Sequence, residues 1–402
     1  MKVIYLSLSY VPSRRASSVQ TMHMCAAIAR RKHDVTLVVK GCRAREEPAK
    51  SVYGFYGLDP SFEVRRLPRP AWKGGGILFA VGMAALILWR RRRTDLVYSR
   101  DLLGAVIAAA AGSRVVYEAH GPPTGAVQGR LLQWVLRRRR FVQLVVISDA
   151  LRKQYSRRGL IPAGVPVVVA HDAAEPMDDF TSPAQPTSSR VRVGFVGGLY
   201  EGRGSGLLVE LARRLHEIPF HVIGGSDSDL AQLKSKDLPP NLVLHGFVPH
   251  AELHEHYEYL DVLLMPYQRQ IFGPVAENDT SEYCSPMKMF EYMAAGKAIV
   301  SSDLPVLREV LRDGFNALLV PLDDVEAWEA VVRQLVDDEG QRRRLGNAAR
   351  ADLLAAHTWA ARAERVLGPI EEKCWHFSAR SDRMGSSAFS FRRLGSRGRG
   401  PG

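Results

Sequence analysis

Fifteen residues, Tyr283-Cys284-Ser285-Pro286-Met287-Lys288-Met289-Phe290-Glu291-Tyr292-Met293-Ala294-Ala295-Gly296-Lys297, hold the densest set of groups able to do chemistry. Ser285 suits a helix N-cap, Pro286 the first helical position and Gly296 the stop after the last turn, so the spacing predicts a short helix. Its positive end would offer the free amides of Met287 and Lys288 together with the Lys288 charge, which is a phosphate site. Glu291, one turn further in, is placed to accept hydrogen bonds from vicinal ribose hydroxyls. In Val196-Gly197-Gly198-Leu199-Tyr200-Glu201-Gly202-Arg203-Gly204, glycines follow a strand and precede a helix while Arg203 is within reach of a phosphate. A tight turn needs glycine for backbone reasons alone, so this second segment is weaker evidence. In Leu244-His245-Gly246-Phe247-Val248-Pro249 a strand ends in a loop, where Phe247 either borders a base ring or is plain core.

The first half of the chain adds two loops. Pro12 to Ser18 carries Arg14 and leads into a helix capped by Ser17 or Ser18, whose amides could meet a donor phosphate or an anionic acceptor. Glu118-Ala119-His120-Gly121-Pro122-Pro123 puts a histidine at a strand-to-loop junction made rigid by prolines, where it is either structural or catalytic. Asp227-Ser228-Asp229 spells an acidic triplet of the kind that holds a divalent ion. It follows Gly224-Gly225 and precedes Leu230, so Asp229 reads better as a helix N-cap.

Parallel α/β elements are needed to bring these loops together. Short apolar runs at Val3–Leu8, Val35–Val39, Leu96–Tyr98, Val115–Tyr117, Val142–Ile147 and Val165–Val169 alternate with helical stretches such as Val19–Arg31, Leu102–Ala111 and Gly129–Arg139. Such alternation implies a mostly parallel sheet covered on both faces. The pattern restarts at Val191–Val196 and continues through Phe220–Ile223, Leu242–Leu244, Val262–Met265, Ala298–Ser301 and Ala317–Val320. The expected fold is therefore α/β, two facing Rossmann-like doubly wound domains. Residues 1–175 form the acceptor-side domain, 176–190 a Pro- and Ser-rich linker, 191–375 the donor-nucleotide domain with closing helices, and 376–402 a disordered basic tail. In open parallel sheets ligands bind beyond the carboxyl ends of the strands, which places the site in the cleft between the domains.

Size and charge agree with this. At 402 residues the chain exceeds what one core usually supports. With 46% hydrophobic and 24% charged residues it is an ordinary globular chain. The net charge of +13, from 55 Lys and Arg against 42 Asp and Glu, favours an anionic partner. Arginines cluster at Arg90–Arg93, Arg137–Arg140 and Arg380–Arg399, which marks surfaces. No zinc-finger spacing, RNA-recognition motif or helix-turn-helix pattern is present, so no nucleic acid is expected. The four cysteines, Cys25, Cys42, Cys284 and Cys374, lie far apart and read as free thiols in a reducing cytosol. Ile77–Trp89 falls short of the roughly 20 residues needed to span a bilayer. It is read as a buried core helix or as one lying on an anionic membrane surface, with peripheral attachment at the inner face.

At this level of detail the residues resemble the retaining glycosyltransferases of family four, with the GT-B fold, over about the first 370 residues. The best-matching stretch is Ser285 to Val320, including Ser302-Asp303-Leu304-Pro305, Glu309 and Gly314-Phe315-Asn316-Ala317. The resemblance implies that Glu291 is the second Glu of a Glu-x7-Glu motif and holds the ribose, and that Arg203 and Lys288 hold the pyrophosphate. His120 looks like the family's cleft histidine, near the transferred sugar. Two departures stand out. Tyr283 occupies the place of the motif's first Glu, so backbone amides around Ser285 would take over its contact. Gly198 stands where an earlier arginine would be. The implied reaction moves a sugar from a nucleotide sugar to a lipid-linked, phosphorylated or glycan acceptor in cell-envelope or polysaccharide assembly, with no metal or other cofactor. A sugar-nucleotide epimerase and an inactive binding subunit are the alternatives.

Overall fold

The computed structural model describes residues 1–41, 51–68, 75–177, 190–273 and 279–386. Most of the expected linker, Cys42 and the tail beyond Ser386 lie outside them. The first unit contains β1 (Lys2–Val11), α1 (Ala16–Arg30), β2 (Asp34–Gly41), β3 (Glu63–Leu67), α2 (Gly75–Arg90), β4 (Leu96–Ser99), α3 (Leu102–Ala110), β5 (Val115–Ala119), α4 (Gly125–Leu136), β6 (Phe141–Val146), α5 (Asp149–Arg157) and β7 (Val167–Val169). Its strands form one parallel sheet in the order β3-β2-β1-β4-β5-β6-β7. The inner strands β4 and β5 are buried along their whole length because helices cover both faces of the sheet.

The second unit has β8 (Val193–Val196), α6 (Ser205–Arg214), β9 (Phe220–Ile223), α7 (Asp227–Lys234), β10 (Leu242–Gly246), α8 (Leu253–Tyr259), β11 (Val262–Met265), α9 (Met287–Ala295), β12 (Ala298–Ser302), β13 (Leu318–Val320), α10 (Val325–Asp337), α11 (Glu339–Ala356) and α12 (Trp359–Ser386). Its parallel sheet runs β10-β9-β8-β11-β12-β13. Each sheet thus reverses its winding beside its first strand, β1 or β8, the place where a loop crevice opens at the carboxyl ends.

Four features differ from expectation. β3 was not anticipated: it is an edge strand reading Glu-Val-Arg-Arg-Leu, and its charges fit an edge but hide the strand. α12 belongs with the first sheet. Trp359, Ala363, Val366, Leu367 and Ile370 join α1 in the first unit's core, so this closing helix does not complete the second domain. It also continues through Ser386, so the segment from 376 to 386, expected to be disordered, is helical. α2 is only half a core helix: Phe79, Met83, Leu86 and Ile87 are buried, but Ile77 and Trp89 are 72% and 71% exposed.

Candidate functional site

The glycine turn after β8 shapes the second unit's half of the site. Gly197 has φ +142, and a Cβ there would lie 3.2 Å from the Lys288 Nζ, so glycine is what lets the lysine pass beneath this backbone. At Gly202 and Gly204, φ is +80 and +81, and a side chain would run into the carbonyls of Gln270 and Pro266. That close fit holds the Arg203 loop against the segment after β11. Arg203 donates to the Tyr267 hydroxyl and to the Phe272 carbonyl, while its Nε is buried without a hydrogen bond.

Lys288 lies in the first turn of α9, 9% exposed, and its amine has no hydrogen-bond partner among the described residues. Its Nζ sits 3.7 Å from the centre of the Phe195 ring and 5.2 Å from that of Tyr267, which Arg203 shares. Burial, and then the neighbouring Arg203, push this amine well below its ordinary range. A bound anion would supply the counter-charge that the protonated form of this amine lacks.

Glu291 follows one turn along α9. His250 Nε2 lies 3.1 Å from one of its oxygens and the Tyr257 hydroxyl donates to the other over 3.1 Å. Burial raises the carboxyl's pKa, but these two partners outweigh it and the net shift is downward. The same pairing raises His250 against its own burial. Gly296 ends the helix with φ +63, as the spacing predicted. The start differs: Pro286 occupies the N-cap position and the helix begins at Met287. Ser285 instead turns away, its Oγ accepting the Asp172 amide over 2.8 Å. Met287 packs against the core of the first unit.

From the first unit, the loop after β1 brings Arg14 to the cleft, its guanidinium carbon 3.8 Å from the centre of the Phe247 ring. Phe247 is half-buried under this contact and belongs to neither core. Arg14 is therefore not confined to an acceptor side. Neither Ser17 nor Ser18 caps α1. The N-cap is Arg15, and Ser18 is buried with its hydroxyl donated to the Tyr10 carbonyl. Likewise Ser226, not Asp229, caps α7; Asp229 closes the capping box by accepting the Ser226 amide at 2.8 Å. Among the described residues no group of three His, Cys, Asp or Glu side chains is placed to hold a metal ion.

His120 does not present a free nitrogen to the cleft. Its Nε2 lies 2.7 Å from Glu118 Oε1 and its Nδ1 3.3 Å from Arg100 Nη2. Glu118 can only accept and Arg100 only donate, so the ring is neutral with its proton on Nε2. Burial and the Arg100 charge lower its pKa to about 4. Glu118 is fully buried and also accepts from Gln20, Tyr98 and Arg362. This buried carboxylate was missed. The signal was available, since an acid inside an apolar strand demands buried partners.

One cavity of about 220 Å³ joins these parts. The first unit lines it with Arg14, Val19, Phe55 and Tyr56. The second contributes the turns Gly197-Gly198 and Gly224-Gly225, the Phe247-Val248 loop, His250 and Glu291. Gly198, Phe247, Glu291 and Arg14 are thus brought together. Lys288 stands behind Gly197, with Arg203 beside it on Tyr267, while His120, Ser285, Pro286, Met287, Ser17 and Ser18 do not line the cavity. Tyr283 crosses the cleft: a Cβ on Gly121 would lie 3.3 Å from its ring, and its own carbonyl accepts from Ser148 Oγ at 2.9 Å.

Comparison with known proteins covers both units. Residues 17–171 match the model described as Glycosyltransferase Family 4, and residues 190–338 the one described as Glycosyl transferases group 1. The phosphatidyl-myo-inositol mannosyltransferase of Mycolicibacterium smegmatis is 28% identical over 67% of this chain and 68% of its own. A D-inositol 3-phosphate glycosyltransferase of Xylanimonas cellulosilytica is 25% identical over 87% of this chain and 86% of its own. In fold, sucrose-phosphate synthase from Thermosynechococcus elongatus superposes with a TM-score of 0.69 at 16% identity, covering 93% of this chain and 99% of that one. Anabaena HepE in complex with UDP gives 0.67 at 14% identity, covering 92% and 100%. Two facing parallel α/β units, a glycine-lined cleft and matches over both halves lead to one conclusion: the chain belongs to the family 4, group 1 glycosyltransferases of GT-B fold.

Proposed function

We propose that this glycosyltransferase takes its sugar from a nucleotide-sugar donor and passes it to an acceptor with retention at the anomeric carbon, without a metal ion. The observation that carries the reading is the cavity between the sheets, with Glu291 lining it and an unpartnered Lys288 amine behind its glycine wall. A donor there would lay its ribose hydroxyls on Glu291 and its diphosphate over the Gly197-Gly198 turn. As the bond from the anomeric carbon to the phosphate oxygen breaks, negative charge grows on the diphosphate. Lys288 and Arg203, held in place beforehand, stabilise that charge most when it is largest. His120, turned to Glu118 and Arg100, positions its loop and does not serve as a base.

A panel of sugar nucleotides in a thermal-shift assay tests this. One donor and its free nucleoside diphosphate should stabilise the protein, and Glu291→Ala and Arg203→Ala should each erase the shift. Normal stabilisation of both variants would remove the site from this cavity. Activity abolished by a chelator and restored by manganese would overturn metal independence. A binding subunit without turnover is favoured by one observation, Tyr283 packed on Gly121 where the motif's first Glu is expected. Donor binding with no transfer to any acceptor would establish it.

For the acceptor, the relatives that act on inositol lipid and inositol phosphate support a phosphorylated or lipid-linked molecule in envelope or polysaccharide assembly. The exposed side of α2, with Ile77, Val81, Leu88 and Trp89 followed by Arg91–Arg93, supports peripheral contact with an anionic bilayer at its cytoplasmic face. Sedimentation with anionic but not neutral vesicles is expected, weakened at high salt and by Trp89→Ala. Equal binding to both vesicle types would count against it.

A further inference from the structure

The Arg14 side chain is exposed at the cleft edge, and the contact recorded for it is the face of Phe247. Neither residue has a reason to be there in the fold's own packing. Phe247 belongs to no core, and among the described residues Arg14 makes no hydrogen bond or ion pair. Both line the cavity that holds Glu291, and they approach it from different units. A planar guanidinium at 3.8 Å on an aromatic face is at stacking distance, the arrangement that a flat heteroaromatic ring also adopts on either partner.

We infer that Arg14 and Phe247, which stack on each other here, are the two walls of the subsite for the nucleotide base, one supplied by each unit. The inference rests on the donor reading above and adds a first-unit residue to it. For a base to enter, the Arg14–Phe247 contact must open by one ring thickness. Once seated, the base lies between a phenyl face and a guanidinium face, so the first unit grips the donor through Arg14. Stacking is tolerant of base identity because every base has a π-face, so this pair raises affinity for nucleosides in general. Choice among bases falls to the rim of the same cavity, which Gly225, Ser226 and Val248 line.

The test is competition binding against a fluorescent nucleotide, using uridine diphosphate, guanosine diphosphate and inorganic pyrophosphate as competitors. The proteins are the wild type, Arg14→Ala, Arg14→Lys, Phe247→Ala, the Arg14→Ala/Phe247→Ala double variant and Glu291→Ala. Arg14→Ala and Phe247→Ala should each weaken the preferred nucleoside diphosphate about tenfold and leave pyrophosphate unchanged. Arg14→Lys should recover only part, since an ammonium is not flat. The double variant should lose less than the product of the two single losses, because each wall acts through the same base. Equal weakening of pyrophosphate in Arg14→Ala would make Arg14 a phosphate ligand and overturn the inference. Wild-type nucleotide affinity in Arg14→Ala, with Glu291→Ala impaired, would also overturn it while sparing the donor site. If Glu291→Ala binds normally as well, the donor reading itself fails.

Discussion

Lys288 is the residue where the cost of a prepared site is most visible. A buried amine without a partner is held below its ordinary pKa, so a diphosphate arriving over Gly197 should draw a proton onto it. Calorimetric enthalpies of nucleoside diphosphate binding should therefore vary with the ionisation enthalpy of the buffer, in the direction of proton uptake, and increasingly so as pH rises. Identical enthalpies in all buffers would place the amine away from the phosphates. His120 behaves in the opposite sense. Its lowered pKa of about 4 means that the folded state keeps it neutral where an unfolded chain would protonate it. As pH falls below the unfolded value near 6.5, the unfolded state gains protons first and this residue's contribution to stability is lost, fully so once pH passes below about 4. An NMR titration of the His120 ring should show a midpoint below 5; a midpoint near 6.5 would mean that its contacts with Glu118 and Arg100 do not persist.

Among the elements, α12 does most to tie the chain together. Arg362, 1% exposed, reaches from it to Glu118 on β5 and donates to the carbonyls of His171 and Ala170. Removing one member of such a buried pair leaves the other unpaired, so Arg362→Ala should cost about 3–5 kcal/mol, measured as a lower urea midpoint. An unchanged midpoint would show that water replaces the guanidinium without penalty. Strands were the easiest elements to read, because a doubly covered parallel strand is a continuous apolar run, as in Val193–Val196 and Val262–Met265. The edge strand β3 escaped because Glu63, Arg65 and Arg66 interrupt its apolar run. Helix starts were harder. Ser285 and Asp229 carry capping chemistry, but Ser285 is taken by the Asp172 amide across the chain and Asp229 by the third position of a capping box.

At the scale of the molecule, contacts on the α5 side of the cleft help to hold the units together. Glu309 accepts the Asp149 and Ala150 amides at the start of α5, each at 2.7 Å, and pairs with His171 at 2.8 Å. Its carboxylate thereby satisfies the positive end of a helix from the other unit. Tyr283 on Gly121 and Ser148 on the Tyr283 carbonyl add to these contacts. A Glu309→Ala/Tyr283→Ala variant should widen the distribution of unit orientations, seen as a larger radius of gyration by small-angle scattering. A radius equal to that of the wild type would show that α12 and the remaining contacts suffice to hold the units.

Two properties are local and could be read along the chain: the alternation of buried strands and helices, and the short motif from Ser285 to Gly296 with Glu291 at its centre. Both depend on near neighbours, through period, propensity and turn chemistry. What Lys288, Arg14, Phe247, Tyr283 and Arg362 touch depends on residues far away in the chain, which meet only because the two sheets face each other and α12 crosses back. Desolvation follows from that meeting. A lysine is cationic and hydrated in any local reading, and it becomes an unpaired amine under a glycine wall only when the whole molecule has closed around it.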